Sequence, residues 1–263
     1  MNNTYILGLN FLHSDTSAAI FKNGFLLAAA EEERFTRVKH TSEFPINSIN
    51  FCLKEAQIDI SNLDIITINS NPFFSLLKKI NYTFKNIKRL RLASRSIKNI
   101  KKKISLKKLI SKIDLDKKFK GKIKYIDHHE AHIASSLYFS PFNESLNVSV
   151  DGFGDFVSSA WGICSNNKLH IDGRIYFPHS MGIFYQAITQ FLGFKNYGDE
   201  YKVMGLASYG SPTYLDQFKE IVSFNKENLF NLNLDYFSHH TNSNFTYNFN
   251  DGIPKFPNLY SDK

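Results

Sequence analysis

The sequence predicts an α/β protein built as two related lobes with a cleft between them. Three observations carry this. A buried strand, a hairpin and an amphipathic helix open the chain between Tyr5 and Ala56. The same order of elements returns from Leu146 onward, although sequence identity between the halves is weak. The composition is that of a folded globular chain: 43% hydrophobic and 21% charged, with 25 Phe and 13 Tyr to fill a core. At 263 residues the chain is long enough for one large domain or two lobes.

Each element follows from its local pattern. Tyr5 to Asn10 reads as a buried strand. Ser17 to Phe21 and Phe25 to Ala30 read as strands joined at Asn23-Gly24, a turn signal for a two-residue hairpin. Phe44-Pro45 opens a helix that buries Ile46, Ile49, Phe51, Leu53 and Ala56. Ile65 to Ile68 is a short buried strand, and Ile123 to Ile126 another, leading into a helix that runs to about Tyr138 and ends before Ser140-Pro141. In the second half, Asn147 to Val150, Ser158 to Cys164 and Leu169 to Tyr176 read as strands, with a turn at Asn166-Asn167, and Met181 to Leu192 as a helix. From Phe224 the chain is rich in Asn and Phe and reads as irregular structure with short elements.

The net charge of +8 is concentrated between Lys78 and Lys124, where Asp114 and Asp116 are the only acidic residues. A stretch of this kind attracts nucleic acid or an acidic membrane surface, or forms a solvated helical insertion packed on Leu90, Ile97, Ile100, Ile104 and Leu109. The scarcity of stacking aromatics favours the insertion. Cys52 and Cys164 stand far apart in unlike surroundings, so no disulfide framework is expected and a reducing cytoplasm fits. Neither a signal peptide nor a membrane-spanning run is read, so no membrane partner is expected.

Five segments carry candidate chemistry. Gly8 to Ser17 joins two strands through small and hydroxylated residues whose backbone N–H groups suit phosphate oxygens, but it lacks a P-loop ending. Glu31 to His40 reads as a solvated charged rim, or as a source of cations (Arg37, Lys39, His40) for a phosphate or carbonyl oxygen. In Asp127-His128-His129-Glu130-Ala131-His132, the four-residue spacing of His128 and His132 stacks two imidazoles on one helix face. His129 points elsewhere. With a carboxylate from Asp151, the pair makes a two-histidine, one-carboxylate set suited to Fe(II) and similar divalent ions. A closed zinc site is disfavoured because no cysteine accompanies the set. Asp151-Gly152-Phe153-Gly154-Asp155 stands at a strand end, as a ligand-approaching turn or a plain tight one. Gly198 to Gly210 reads as a polar loop entering a short helix, with Lys202 placed for an anion or simply on the surface.

In this order the segments resemble the N-terminal portion of the O-carbamoyltransferases, the family of nodulation-factor and antibiotic carbamoyltransferases. The resemblance rests on Leu7-Gly8-Leu9-Asn10 to Ser17-Ala18-Ala19, on Glu32 to Lys39, on His128 to His132, on Val150 to Gly154 and on Lys202 to Gly210. It implies an actin- or sugar-kinase-like α/β fold with duplicated ribonuclease-H-like lobes. It also implies two-step chemistry, in which a C-terminal domain forms carbamoyl-adenylate from carbamoyl phosphate and ATP and this region passes the carbamoyl group to a hydroxyl. On that basis His128, His132 and Asp151 match iron ligands. His13 matches a general base and Lys39 a charge-stabilising group. Asn10, Ser14, Arg37, Gly152, Gly154, Lys202 and Gly205 fall at substrate- or nucleotide-binding positions.

The resemblance divides the chain into a first lobe over 1–145, with a basic insertion over 78–124, and the start of a second lobe over 146–263. Family members are much longer. The rest of the second lobe, with a further acidic ligand and a glycine-rich nucleotide loop, and the adenylate-forming domain lie outside this sequence. A fragment, split-gene product or truncated relative is therefore expected, inactive alone and completed by a separate chain that supplies the C-terminal half. The acceptor is a sugar or another hydroxyl-bearing small molecule. Two other readings stand beside this one: a threonylcarbamoyl-tRNA type of modification protein, mildly favoured by the basic stretch, and a non-catalytic metal- or nucleotide-binding module.

Overall fold

The computed structural model describes residues 3–11, 13–71, 73–85, 110, 114, 116, 118–194, 196, 198–226, 229–237 and 239–240. They fall into two compact units, Met1–Asn81 with Ala93–Ala131 and Tyr82–Leu92 with His132–Lys263.

The first unit is a mixed sheet with strand order β3-β2-β1-β4-β5. Its strands are β1 (Tyr5–Asn10), β2 (Ser17–Lys22), β3 (Phe25–Glu31), β4 (Ile65–Ile68) and β5 (Lys122–Tyr125). β1 runs antiparallel to β2 and parallel to β4, and β4 runs parallel to β5. Three antiparallel strands are thus followed by two parallel ones. The β2–β3 turn takes positive φ at Asn23 (51°) and Gly24 (87°), as a two-residue hairpin requires. Leu7, Ile20, Ile49, Cys52 and Ile66 are the fully buried centre of the core, where α2 (Ile46–Glu55) packs on β2 and β3. Both cysteines are free and buried. Burial pushes the Cys52 thiol up to about 11, so it behaves as a small apolar core residue.

The short helix α1 (Glu33–Thr36) leads from β3 toward α2, and α3 (Leu76–Lys85) follows β4. The expected packing of Leu90, Ile97, Ile100, Ile104 and Leu109 lies outside the described residues. Lys122 and Lys124, at the end of the basic stretch, belong to β5 rather than to an insertion.

A continuous helix, α4 (His128–Leu137), carries the chain into the second unit. There β6 (Glu144–Gly154), β7 (Val157–Ser165) and β8 (Lys168–Tyr176) form an antiparallel sheet in that order. The β7–β8 turn is again two residues with positive φ, at Asn166 (52°) and Asn167 (59°). Helices α5 (Met181–Phe191), α6 (Glu200–Ala207) and α7 (Leu215–Ile221) follow, then a hairpin of β9 (Val222–Asn225) and β10 (Leu229–Leu232). One core joins α5, α7 and the hairpin around Ile183, Ala187, Ile221 and Phe230, with Trp161 of β7 packed against it. A smaller one joins Ile133 and Leu137 of α4 to Cys164 of β7.

Two expectations need correction here. β6 extends past Val150: its pairing with β7 slips after Val150↔Ser159 and resumes at Gly154↔Val157. Asp151 therefore sits at a bulge inside a strand, not at a strand end; bulges of this kind re-aim side chains. The 198–210 segment is mostly helix, and Gly205 lies within α6.

Candidate metal centre

The helix that bears the histidines is started by Asp127. Its buried carboxylate accepts from the Glu130 N–H at 2.9 Å, so the Asp127 side chain caps the first turn. His128 then opens α4, 4% exposed, and its Nδ1 donates to the Asn69 carbonyl at 3.0 Å. A carbonyl can only accept, so the proton is on Nδ1 and the lone pair on Nε2. Fixing the tautomer through the second nitrogen is the usual support for a metal-binding imidazole. His129 is fully buried and packs edge-on against the His128 ring, so it serves the core, as its place on the helix implies.

His132 lies one turn further along α4, half exposed, with Nε2 3.7 Å from Asp151 Oδ2. One donor atom from each of His128, His132 and Asp151 lies within 4.8 Å of the others. The second Asp151 oxygen accepts from the Gly152 N–H at 2.6 Å. Behind it, the buried Ser180 hydroxyl donates to the carbonyls of Asp151 (3.0 Å) and Gly152 (2.7 Å) and accepts from Ile183 N–H as the N-cap of α5. The bulge and the cap of α5 are thus locked together. The fit is close: a Cβ on Gly182 would stand 2.6 Å from the Asp151 carbonyl oxygen. Gly182→Ala is expected to push α5 from β6 at a cost of about 1–3 kcal/mol and to weaken divalent-ion binding with it, as urea unfolding and calorimetric titration would record.

His13 packs against the first residue of this helix, its ring centroid 4.7 Å from that of His128. The loop that holds it is tied down by Asn10, whose amide donates to the carbonyls of Ser14 (3.3 Å) and Asp15 (2.8 Å) and accepts from the Asn69 amide (2.9 Å). Asp15, at φ 61°, meets His40 Nδ1 at 2.9 Å, joining this loop to the segment after α1. Arg37, in the left-handed conformation at φ 58°, and Lys39 both lie exposed on that segment. Gly152 and Gly154 flank the Phe153 position of the bulge. Lys202 is elsewhere on the second unit, on α6, with its ammonium 2.6 Å from Asp199; the pairing holds Asp199 below and Lys202 above its usual range. Gly205 is exposed on the same helix.

Glu32 is the residue that sequence reasoning misplaced. In place of a solvated rim position, it is 3% exposed. Its carboxylate accepts four hydrogen bonds from the first turn of α2: Asn47 N–H (3.1 Å), Asn47 Nδ2 (2.7 Å), Ser48 N–H (2.8 Å) and Ser48 Oγ (2.8 Å). The N-cap of α2 is Pro45, which has no side-chain acceptor, so the helix takes its cap from β3's end. Glu32 N–H also donates to Thr16 O at 2.9 Å. Glu32 thereby joins the Thr16 loop and α1 through its main chain and α2 through its carboxylate. Glu32→Ala is expected to cost about 2 kcal/mol, read as a lower urea midpoint, because the buried Ser48 N–H and hydroxyl and the part-buried Asn47 N–H lose their acceptor.

A sequence profile described as Carbamoyltransferase N-terminus matches residues 5–253. An uncharacterized protein of Synechocystis, sll1178, is 34% identical over 257 residues, covering 92% of this chain and 41% of its own length. Nodulation protein NolNO of Sinorhizobium fredii is 31% identical, covering 84% of this chain and 32% of its own. Uncharacterized protein MJ1051 of Methanocaldococcus jannaschii is 32% identical, at 83% and 37%. The chain thus spans well under half the length of these relatives. Among solved structures, component A of the (R)-2-hydroxyglutaryl-CoA dehydratase of Acidaminococcus fermentans aligns over 80% of this chain and 70% of its own, with a TM-score of 0.38 and 12% identity.

Proposed function

Starting from the fact that the chain belongs to the carbamoyltransferase N-terminus family, we propose that it is the acceptor-side part of an ATP-dependent O-carbamoyltransferase. The reaction is transfer of a carbamoyl group from carbamoyl-adenylate, made from carbamoyl phosphate and ATP, to a hydroxyl of a sugar or natural product. The observation that carries the reading is the donor set of His128, His132 and Asp151. Its two imidazoles and one carboxylate, with the His128 tautomer set by Asn69 O, fit Fe(II) or a similar divalent ion. Such an ion, when bound, supplies Lewis acidity toward a carbonyl or phosphate oxygen.

The chain's own residues have separate tasks. His13, held against His128, takes the proton of the acceptor hydroxyl as its oxygen bonds to the carbamoyl carbon. The carbon–oxygen bond to the adenylate phosphate breaks, and AMP departs with the electron pair. Lys39 and Arg37 offer positive charge to the carbonyl or phosphate oxygens. Asn10 keeps the Ser14–Asp15 loop in shape, and the Gly152 backbone allows close approach beside Asp151. Lys202 neutralises adenylate charge only if it exchanges Asp199 for the nucleotide.

The test joins residues 1–263 to the C-terminal part of the Synechocystis relative and supplies carbamoyl phosphate, ATP, Fe(II) and a panel of sugar hydroxyl acceptors. Carbamoylated acceptor with release of AMP is expected from the fusion and not from the isolated chain. Turnover by the isolated chain, or a fusion that turns over as well with His128→Ala, would overturn the reading.

A further inference from the structure

We propose that the bare apolar face of α3, with Phe73 just before it, is a docking surface for an anionic lipid bilayer, on which the chain lies peripherally. Carbamoyl chemistry plays no part in this surface. It departs from the expectation of no membrane partner, which rested on the lack of a spanning run; a helix can lie at the interface without crossing it.

α3 turns its residues to different surroundings. Tyr82 is held, its ring edge-on to Phe156 (5.9 Å between centroids) and to Phe177 (5.1 Å). At about 100° per residue, Leu76, Leu77 and Ile80 fall on the opposite side of the helix, within an arc of about 100°. They are 40, 82 and 42% exposed, and Phe73, in the turn that leads into the helix, is 60% exposed. An amphipathic helix of a folded domain normally turns such a stripe to the core. Four large apolar side chains in close succession, all open to solvent, mark an interaction site rather than scattered surface residues. Lys78 is exposed on the same helix, and Lys79 borders the apolar arc.

The charge indicates what covers this face. Of the 32 Lys and Arg in the chain, 19 lie between Lys78 and Lys124, and only 2 of the 24 acidic residues do. That stretch carries +17 and the remainder of the chain −9, so the net +8 is the difference between a strongly basic block and an acidic body. Where it is described, the block shows its charge. Lys120, Lys122 and Lys124 are exposed on and just before β5, the edge strand beside β4, which α3 follows. A cationic block that begins on an exposed apolar helix face has the two attractions that hold a protein at a bilayer surface. Apolar side chains are buried below the headgroups, and lysines meet anionic lipid. A nucleic acid would use the charge and leave the apolar face bare. It also favours Arg, whose planar fork matches phosphate, whereas the block has 16 Lys and 3 Arg. The apolar residues of the block are mostly Ile and Leu, which suit acyl chains, and not rings for base stacking.

The experiment floats the purified chain with vesicles of phosphatidylcholine alone or with about 30% phosphatidylglycerol, at low and at high salt. Binding to the anionic vesicles only, lost at high salt, is expected. Leu77→Glu and Ile80→Glu are each expected to weaken it at least about tenfold, with circular dichroism unchanged. Phe224→Glu, at an exposed position on β9, is the control and leaves it as it is. Leu77→Trp gives a second readout: against the background of Trp161, the single Trp of the chain, its emission shifts to the blue when anionic vesicles are added. No binding, equal binding to neutral vesicles, or binding indifferent to both Glu substitutions would overturn the proposal. Emission from Leu77→Trp that is blue-shifted before vesicles are added, and unchanged by them, would assign the face to a segment of this chain and overturn it too. So would tight binding of duplex DNA or tRNA with none to vesicles, which would give the basic block to nucleic acid. None of these readouts requires turnover, so failure of docking and failure of carbamoyl transfer are told apart.

Discussion

Asp151→Asn is expected to lower Fe(II) affinity by at least about 100-fold, the upper end of what losing even an outer-shell partner costs a metal site. The reason is the part this carboxylate plays. It is the only anion in the set, and a neutral amide oxygen in its place leaves two imidazoles to hold a dication. His132→Ala and His128→Ala should fall in the same range, since each removes a donor from a three-donor site. His170→Ala is the control: that ring is 83% exposed and paired with Asp172. Anaerobic calorimetric titration with Fe(II), and Co(II) as a spectroscopic stand-in, reads the result. Unchanged affinity in Asp151→Asn would remove the metal from the site.

The second large effect is on stability against pH, and it belongs to His239. This ring is 8% exposed, among Phe153, Phe177 and Phe237, with Nε2 2.8 Å from the Pro178 carbonyl. Burial pushes its pKa from 6.5 down to about 4; the Pro178 hydrogen bond opposes this, and His240 and His179 add to it. His179, lowered by burial as well, receives the Leu232 N–H at 3.1 Å. The sign is that of a base kept neutral in the fold. Above pH 6.5 both states carry a neutral ring and nothing is lost. As pH falls from 6.5 to 4 the unfolded chain takes up a proton that the folded chain refuses, and stability declines. At 1.36 kcal/mol per pKa unit the full loss approaches about 3 kcal/mol. His239→Gln keeps a donor for Pro178 O and cannot titrate. Its urea midpoint should therefore vary less than that of the parent between pH 7 and pH 4. Parallel profiles for the two proteins would rule His239 out as the source.

Much of the fold was legible in the residues because its signals are local. Asn23-Gly24 and Asn166-Asn167 set turns whose positive φ values few other pairs accept, and the hairpins around them follow. The spacing of His128 and His132 specifies a shared face once the segment is helical. Among the described residues no helix is long and apolar enough to cross a membrane, in line with the lack of long apolar runs. Glu32 was misread because its neighbours Glu31, Glu33 and Arg34 make a charged string, and a string of charges is normally solvated. Its burial depends on Asn47 and Ser48, which come close only when α2 folds back on β3. The bulge at Asp151 was hidden for a similar reason: a slip in register is a property of two strands, and β6 alone does not encode it.

The sequence by itself determined which residues could bind a cation and which turns the chain would make, because side-chain chemistry and backbone propensity act over a few neighbouring residues. Only the tertiary structure decided that Asp151 turns toward His132, that Glu32, just past β3, caps a helix fifteen residues on, and that Leu146, Val148 and Val150 of β6 are exposed. Those outcomes depend on strand register and on groups distant in sequence meeting at hydrogen-bond range, and neither is written in a local pattern.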